Sequence, residues 1–556
     1  MNSYRLRFVP LGGIVDVTKN MYLYELYKDN VLTDILIVDC GIGFPKEAEL
    51  GVDYIIPDIS YLQDKKDKIR AILLTHGHED HISALRFHYE PLGRPPVYAS
   101  KLTSLLVEEK VREYGFSLKV NVISYRRDYI FGPFKVRFIQ MTHSIPDTCH
   151  ILIKTPAGNF YHGSDFKLDL TPPYGQPPDF YEIVAAGEEG VTCLLSDCLG
   201  SEREGLTLSE RIVGKTFEDE MRLTRGKFIM TTFSSNISRI RQCVEAAIKF
   251  NRSICFLGRS MVTNTKLTKE IGYLSIPERF ILEDKAVSRM TANKVCIIAA
   301  GSQGQYDSAL SKIANNLNKF IKIDPGDKVV FSSDPIPGQE EEVYDLIERL
   351  YMSHAQVVYS DIAERLHASG HGSQEDLKFM IAFLKPKYLT PIGGTIRHQR
   401  QYLELARQLG YKDNQVFLMK EGQTINFQDG VAKPGEIIET KNIFVDAYGV
   451  GDIGNIVLRD RKTLAREGIV VVVLIVNRNF QLTLPPEFIS RGFIFKDNEQ
   501  QIFDNARKKV DEILKPKKDE ILTSSTVKGK VIKTMESYFN SKTGRQPLIV
   551  VELLQI

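Results

Sequence analysis

Paired cysteines are missing from this sequence. Its seven cysteines, at positions 40, 149, 193, 198, 243, 255 and 296, are odd in number, sit mostly inside apolar segments, and nowhere form C-x-x-C. That pattern excludes a disulfide framework and predicts reduced thiols in the core. Long hydrophobic runs are missing too: the most apolar stretch, 468–476, is far too short to cross a bilayer, and the first residues lack the apolar core of a signal segment. A cytoplasmic protein with no membrane partner is the expectation. Charge of one sign is lacking as well, since 72 basic and 70 acidic residues leave a net +2, so any nucleic-acid binding needs a local groove rather than the field of the whole molecule. Hydrophobic and charged contents of 43% and 26% rule out wholesale disorder. At 556 residues the chain exceeds one hydrophobic core, and a domain per roughly 150 residues suggests three or four.

Histidine is scarce at eleven residues, yet three of them fall within 75–81, T-H-G-H-E-D-H, directly after the apolar run 71–74. Unpaired polar side chains at the end of a buried strand are costly, so this density predicts a metal centre. Imidazole and carboxylate suit Zn(II), Mn(II) and Fe(II), and with no cysteine in the run an all-thiolate structural site is excluded, which leaves a catalytic one. The spacing puts His76 and His78 on one side of an extended segment, while Asp80 and His81 can turn toward a second point. One loop can therefore serve two cations.

Short strand-like runs punctuate the first two hundred residues (35–38, 71–74, 135–139, 151–154, 193–196), and Asp39, His76, His143, Asp165 and Asp197 each lie just beyond such a run. Sheet enzymes gather a site in this way. From 206 to 352 the pattern changes to amphipathic helices (208–224, 238–250, 307–317) alternating with strands (228–233, 295–300, 329–332), a separate parallel α/β unit. Ligand-type residues return at His367 and His371, before a helix at 374–384 and a strand at 388–392, so the second unit reads as an insertion into the first. Beyond Lys433 a Gly-rich connection, 448–455, leads to a compact tail with a strand at 469–476 and a helix at 498–514.

Two cations held about 3.5–4 Å apart can activate water and clamp a phosphodiester. Such a pair needs a carboxylate that reaches both, and Asp165 in H-G-S-D-F-K is the candidate. His143, in M-T-H-S-I-P-D, completes one ion's set with His76 and His78; Asp80, His81 and the shared Asp165 hold the other. Asp39, in I-V-D-C-G, suits a supporting role in which its carboxylate orients a ligand imidazole or its loop.

Together D-C-G, H-G-H-E-D-H, T-H-S-I-P-D and S-D-F-K resemble the metallo-β-lactamase fold, a four-layer αββα sandwich. The finer resemblance is to its β-CASP nucleases and, within them, to the ribonuclease J family. It is carried by L-L-S-D-C at Leu194, T-T-F-S-S-N-I at Thr231, G-S-Q-G at Gly301, S-S-D-P-I-P-G at Ser332, H-A-S-G-H-G-S-Q-E at His367 and G-D-I-G-N-I-V-L-R-D at Gly451. The resemblance implies an α/β chain: a metallo-β-lactamase domain at 1–205 with a return segment at 356–432, an inserted β-CASP domain at 206–355, a linker at 433–455 and a small C-terminal domain at 456–556. It further implies a two-zinc ribonuclease that degrades single-stranded RNA from a 5′-monophosphate end, with endonucleolytic cuts as well, assembled as a homodimer or homotetramer or with a paralogous subunit.

Position by position, the resemblance gives Asp197 and His371 catalytic roles alongside Asp80, with His371 as general acid or transition-state stabiliser near the leaving oxygen. The segment His367, Ala368, Ser369, Gly370 and His371 is similar to the family's phosphate grip, and Ser234, Ser235 and Asn236 resemble the facing half of that pocket. Asp53 and Asp446 resemble positions for a structural calcium. One departure stands out: where the family carries a metal-binding histidine in P-x-H-G-E, this chain reads P-I-G-G-T, with Gly393 in its place. His398 could reach back to fill the gap or serve as an ordinary helix residue. Gly393 opens an alternative reading, an attenuated RNA-binding or scaffolding subunit; a small-ester or thioester hydrolase on the same sandwich is a third.

Overall fold

The computed structural model describes residues 3–46, 49–336, 339–363, 365–446, 449–451, 454–493, 496–515 and 523–556. It divides into two compact units, Met1–Phe44 with Ile55–Ile443, and Pro45–Tyr54 with Phe444–Ile556.

In the first unit two sheets face each other. One has eight strands, running in space from Val431–Ile437 through Gln423–Gln428, Tyr4–Pro10, Tyr22–Lys28, Val31–Val38, Ile69–Leu73 and Val97–Ala99 to Asn121–Val122. The other has six: Tyr388–Ile392, Cys193–Asp197, Gly158–Gly163, Cys149–Thr155, Phe134–Gln140 and Asp128–Phe131. Their inner faces share one core, in which Tyr24, Leu36 and Leu73 meet Phe138, Ile151, Phe160 and Leu195. Alternate residues along a strand point to opposite faces, so Leu152, between Ile151 and Ile153, joins a second core beneath the helices Phe180–Glu188, Gln374–Leu384 and Ile396–Gln408. Burial on both faces is why the run C-H-I-L-I shows no polar alternation.

A third sheet, with all pairings parallel, runs Ser253–Leu257, Val295–Ala299, Phe228–Thr231, Lys328–Phe331, Gln356–Val358. It is the inserted α/β layer, flanked by Arg211–Leu223, Ile237–Lys249, Arg259–Glu270 and Glu340–Met352. The helix read at 307–317 is shorter, Ala309–Ala314, because Ser308 caps its start and Asn315 already leaves helical geometry. The 433–455 segment, read as a linker, begins within the strand Val431–Ile437. That edge strand is mostly exposed and contains Pro434 and Gly435, so its composition resembles a loop. Of the Gly-rich connection, Tyr448 and residues 452–453 lie outside the described residues.

In the second unit the strands Glu487–Arg491, Ile469–Val476 and Leu548–Gln555 form a small sheet. Val470, Val472 and Leu474 pack on Phe503, Val510, Val527 and Phe539 from the helices Lys496–Ile513 and Ser524–Thr543. Among the described residues no helix is long and apolar enough to cross a membrane. All seven cysteines are buried free thiols.

Candidate metal centre and phosphate segment

The strand ends Val38, Leu73, Gln140, Gly163, Asp197 and Ile392 deliver the expected site residues to one edge of the two facing sheets. His76 Nε2 lies 3.0 Å from His78 Nδ1, and His143 Nε2 lies 3.1 Å from the same atom. A tetrahedral site with metal–nitrogen bonds of about 2.0–2.1 Å has edges of roughly 3.3 Å, so this donor set fits a divalent cation. Each ring is held from behind. His143 Nδ1 donates to the Gly370 carbonyl at 2.6 Å, Thr75 Oγ1 sits 3.0 Å from His76 Nδ1, and Ser144 Oγ sits 3.3 Å from His78 Nε2. Such contacts fix which nitrogen is free to bind. A Cβ at position 370 would lie 2.7 Å from the His143 ring, so only glycine allows this approach.

Burial holds His76 and His143 well below the ordinary imidazole pKa and lowers His78 to about 3, which leaves all three rings neutral, as metal ligation requires.

Asp165 is the shared carboxylate. Its Oδ2 lies 3.8 Å from His76 Nε2, 3.8 Å from His143 Nε2, 3.4 Å from His81 Nε2 and 3.8 Å from His371 Nε2. Two groups of clustered ligand atoms, His76–His78–His143–Asp165 and Asp80–His81–Asp165, therefore meet at one residue. Asp39, fully buried, accepts from His81 Nδ1 at 2.8 Å and from the Thr75 backbone N–H at 2.8 Å, so it orients the ring and the loop together. Burial pushes the Asp80 carboxyl up to about 6. For His81 burial acts downward, yet Asp165, Asp80 and Asp39 outweigh it and raise the ring well above its usual pKa.

Sequence reasoning missed Asn20 here. Its amide nitrogen is 3.1 Å from His81 Nε2 and 3.4 Å from Asp80 Oδ2, and its oxygen accepts from Tyr22 at 2.7 Å.

Asp197 Oδ2 accepts from His371 Nδ1 at 2.8 Å, while its other oxygen accepts from the Leu199 N–H at 2.8 Å. His371 Nε2 is thereby turned toward Asp165. Burial pulls the His371 pKa down, but Asp197 and Asp165 bring it above the usual value. Ser369 Oγ accepts the His371 N–H at 3.0 Å. Ser234 and Ser235 are half-buried after the strand Phe228–Thr231, and Asn264, which the sequence did not flag, donates to the Ser234 carbonyl at 3.0 Å. Asn236 caps the helix Ile237–Lys249 through the Arg239 N–H, so its side-chain oxygen has a structural partner.

Gly393 adopts φ +64°, and a Cβ built there would meet only Asp165 Oδ1, at 3.8 Å, within 4 Å. His398 does not fill that space. It is the third residue of the helix Ile396–Gln408, and its Nδ1 accepts the Thr395 N–H at 3.2 Å in a capping box. His398→Ala is accordingly expected to lower stability by about 1–2 kcal/mol in denaturant melts, the scale of a lost helix cap, and to leave the bound-metal count unchanged. Asp446 lies 3.5 Å from the Arg461 guanidinium and Asp53 is exposed; among the described residues neither joins a cluster of three metal-ligating side chains.

Comparisons with known proteins agree with this architecture. Family models match at 16–177 (metallo-beta-lactamase superfamily), 225–350 (ribonuclease J, beta-CASP domain), 357–419 (Zn-dependent metallo-hydrolase RNA specificity domain) and 456–556 (ribonuclease J C-terminal domain). The chain is 36% identical to ribonuclease J2 of Bacillus subtilis, over 100% of this chain and 99% of that protein. It is also 36% identical to ribonuclease J 1 of Streptococcus pyogenes, over 98% and 96%, and 33% identical to ribonuclease J 2 of Staphylococcus aureus, over 99% and 98%. A crystal structure of a protein of unknown function from Enterococcus faecalis shares the fold at TM-score 0.54 and 16% identity, covering 76% of this chain and 100% of that one. With relatives matched end to end and a clustered His/Asp metal site where its two sheets converge, the chain belongs to the ribonuclease J family of metallo-β-lactamase/β-CASP nucleases, metal-dependent RNA hydrolases of RNA processing.

Proposed function

We propose that this ribonuclease binds two zinc ions, one through His76, His78, His143 and Asp165 and the other through Asp80, His81 and Asp165, and that it degrades single-stranded RNA from a 5′-monophosphate end, with endonucleolytic cuts as a second mode. Asp165 Oδ2 carries the reading, because it stands within 3.8 Å of nitrogens from both ligand groups and of His371. When bound, such an ion pair activates water and stabilises charge on the phosphodiester oxygens. His371, held through Nδ1 by Asp197, keeps Nε2 available to deliver a proton to the leaving oxygen. The segment 367–371, with Ser234 and Ser235 opposite, grips substrate phosphate through N–H and O–H donors. The working form is a cytoplasmic homodimer or homotetramer, or an assembly with a paralogous subunit, divided into domains at 1–205 with 356–432, 206–355 and 456–556.

The test compares labelled RNAs differing only at the 5′ end. Monophosphorylated RNA is expected to be shortened to mononucleotides, and triphosphorylated RNA to resist attack from that end; equal decay of both would overturn the 5′-end reading. Gly393 favours one competing reading, a scaffold with a weakened second site. Metal counting decides between them, since a scaffold binds one ion and shows no turnover.

A further inference from the structure

Arg239 is fully buried although it carries a full charge. It sits on the helix Ile237–Lys249, one turn beyond residues 234–236. Its Nη2 donates to both carboxylate oxygens of Glu210, at 2.6 and 2.9 Å, and to the Ala368 carbonyl at 2.9 Å. Its Nη1 donates to the Ser332 carbonyl at 2.5 Å and approaches His367 Nδ1 at 2.8 Å. A buried guanidinium persists where partners offset its charge; here both Nη groups are engaged, while Nε has no partner among the described residues.

A guanidinium has donors and no acceptor. His367 Nδ1 must therefore accept, which leaves the ring neutral with its hydrogen on Nε2. Burial and the Arg239 charge hold its pKa well below the ordinary range, in keeping with that state. Nε2 stands 3.4 Å from Asp334 Oδ2. Three of the segment's five carbonyls are occupied internally: Ala368 by Arg239, Gly370 by His143, and His371 by Thr207 Oγ1 at 3.2 Å.

We propose that Arg239 is a positioning residue for phosphate recognition: by locking His367 as the Nε2–H tautomer and engaging the Ala368 carbonyl, it fixes a donor and removes an acceptor where the 367–371 segment meets a substrate phosphate. The inference rests on the reading of that segment as the phosphate grip, and its test separates the two.

The variant Arg239→Gln with Glu210→Gln removes both charges of the pair together, and buried Lys167, 3.8 Å from Glu210, keeps Asp169 at 4.0 Å as its counter-charge. Ring 15N spectra of the histidine-labelled full chain, with His367 assigned through His367→Gln, report the tautomer. Wild type is expected to show one protonated and one bare His367 nitrogen, and the double variant to show averaged shifts. KM for 5′-phosphorylated RNA should rise roughly tenfold, the scale of one lost hydrogen bond to a charged group, while KM for 5′-hydroxyl RNA and kcat stay the same. An unchanged His367 signal, or equal losses on both RNAs, overturns the role of Arg239. Equal KM for the two RNAs in the wild-type chain overturns the phosphate reading itself. Should the double variant not fold, Arg239→Lys keeps a charge beside Glu210 but lacks the planar fork. The same spectra and the same pair of KM values, measured on that variant, support or overturn the role of Arg239 in the same way.

Discussion

Asp165→Ala is expected to abolish RNA cleavage, with kcat down at least about 10³-fold, the equivalent of several kcal/mol of lost transition-state charge stabilisation. The size of the effect follows from position: one carboxylate oxygen stands 3.4–3.8 Å from His76, His81, His143 and His371, so removing it strips a ligand from both groups at once. His78→Ala touches only the His76–His78–His143 group. It is also expected to stop cleavage, but to leave the Asp80–His81–Asp165 group able to hold an ion. Metal analysis after dialysis against a weak chelator checks the distinction, with Asp165→Ala losing both ions and His78→Ala losing one. Full activity in either variant would show that the chemistry lies elsewhere.

The clustered His and Asp side chains proposed as ligands were legible because they are local and chemically loud. T-H-G-H-E-D-H packs four of them into the turn after a strand and the short helix Glu79–Ile82 that follows it, and His143 and Asp165 follow strand ends with the same punctuation. Asp39 apart, what could not be read were the supporting groups whose partners lie far away in sequence. The His143–Gly370 bond spans 227 positions, Asn20 reaches His81 across 61, and Arg239 reaches His367 across 128. No periodicity records such pairs; they exist only once two sheets and an inserted layer have packed. The faint signal for Arg239 was a charged residue between Ile237 and Ile240 on a helix whose apolar side is buried. The helix Gln374–Leu384 and the strands Tyr388–Ile392 and Ile469–Val476 match their expected limits, since burial and caps agree there. The exposed edge strand Val431–Ile437 was read in part as a linker, because ladder hydrogen bonds, rather than apolar pattern, hold it in place.

Gly393→His tests the one departure from the family pattern, and it is expected to tighten the second ion roughly 10- to 100-fold, the scale by which ligand-sphere changes alter metal affinity. Space is available, since a Cβ at 393 meets only Asp165 Oδ1 at 3.8 Å, and that contact places the new side chain beside the carboxylate that both ligand groups share. The opposing effect is conformational: φ +64° lies in the left-handed region, where a side chain costs about 1–2 kcal/mol, although histidine visits it more readily than most residues. The metal-free variant should therefore melt below the metal-free wild type. Loading with zinc should close that gap or reverse it, because a tighter ligand stabilises the folded state in proportion to the logarithm of its affinity. Calorimetric titration of the two chains, each with the first site already filled, reads the affinity directly. If the second-ion affinity does not change while the metal-free melting temperature falls, position 393 lies outside the metal's reach, and its glycine serves only the backbone turn that follows Ile392.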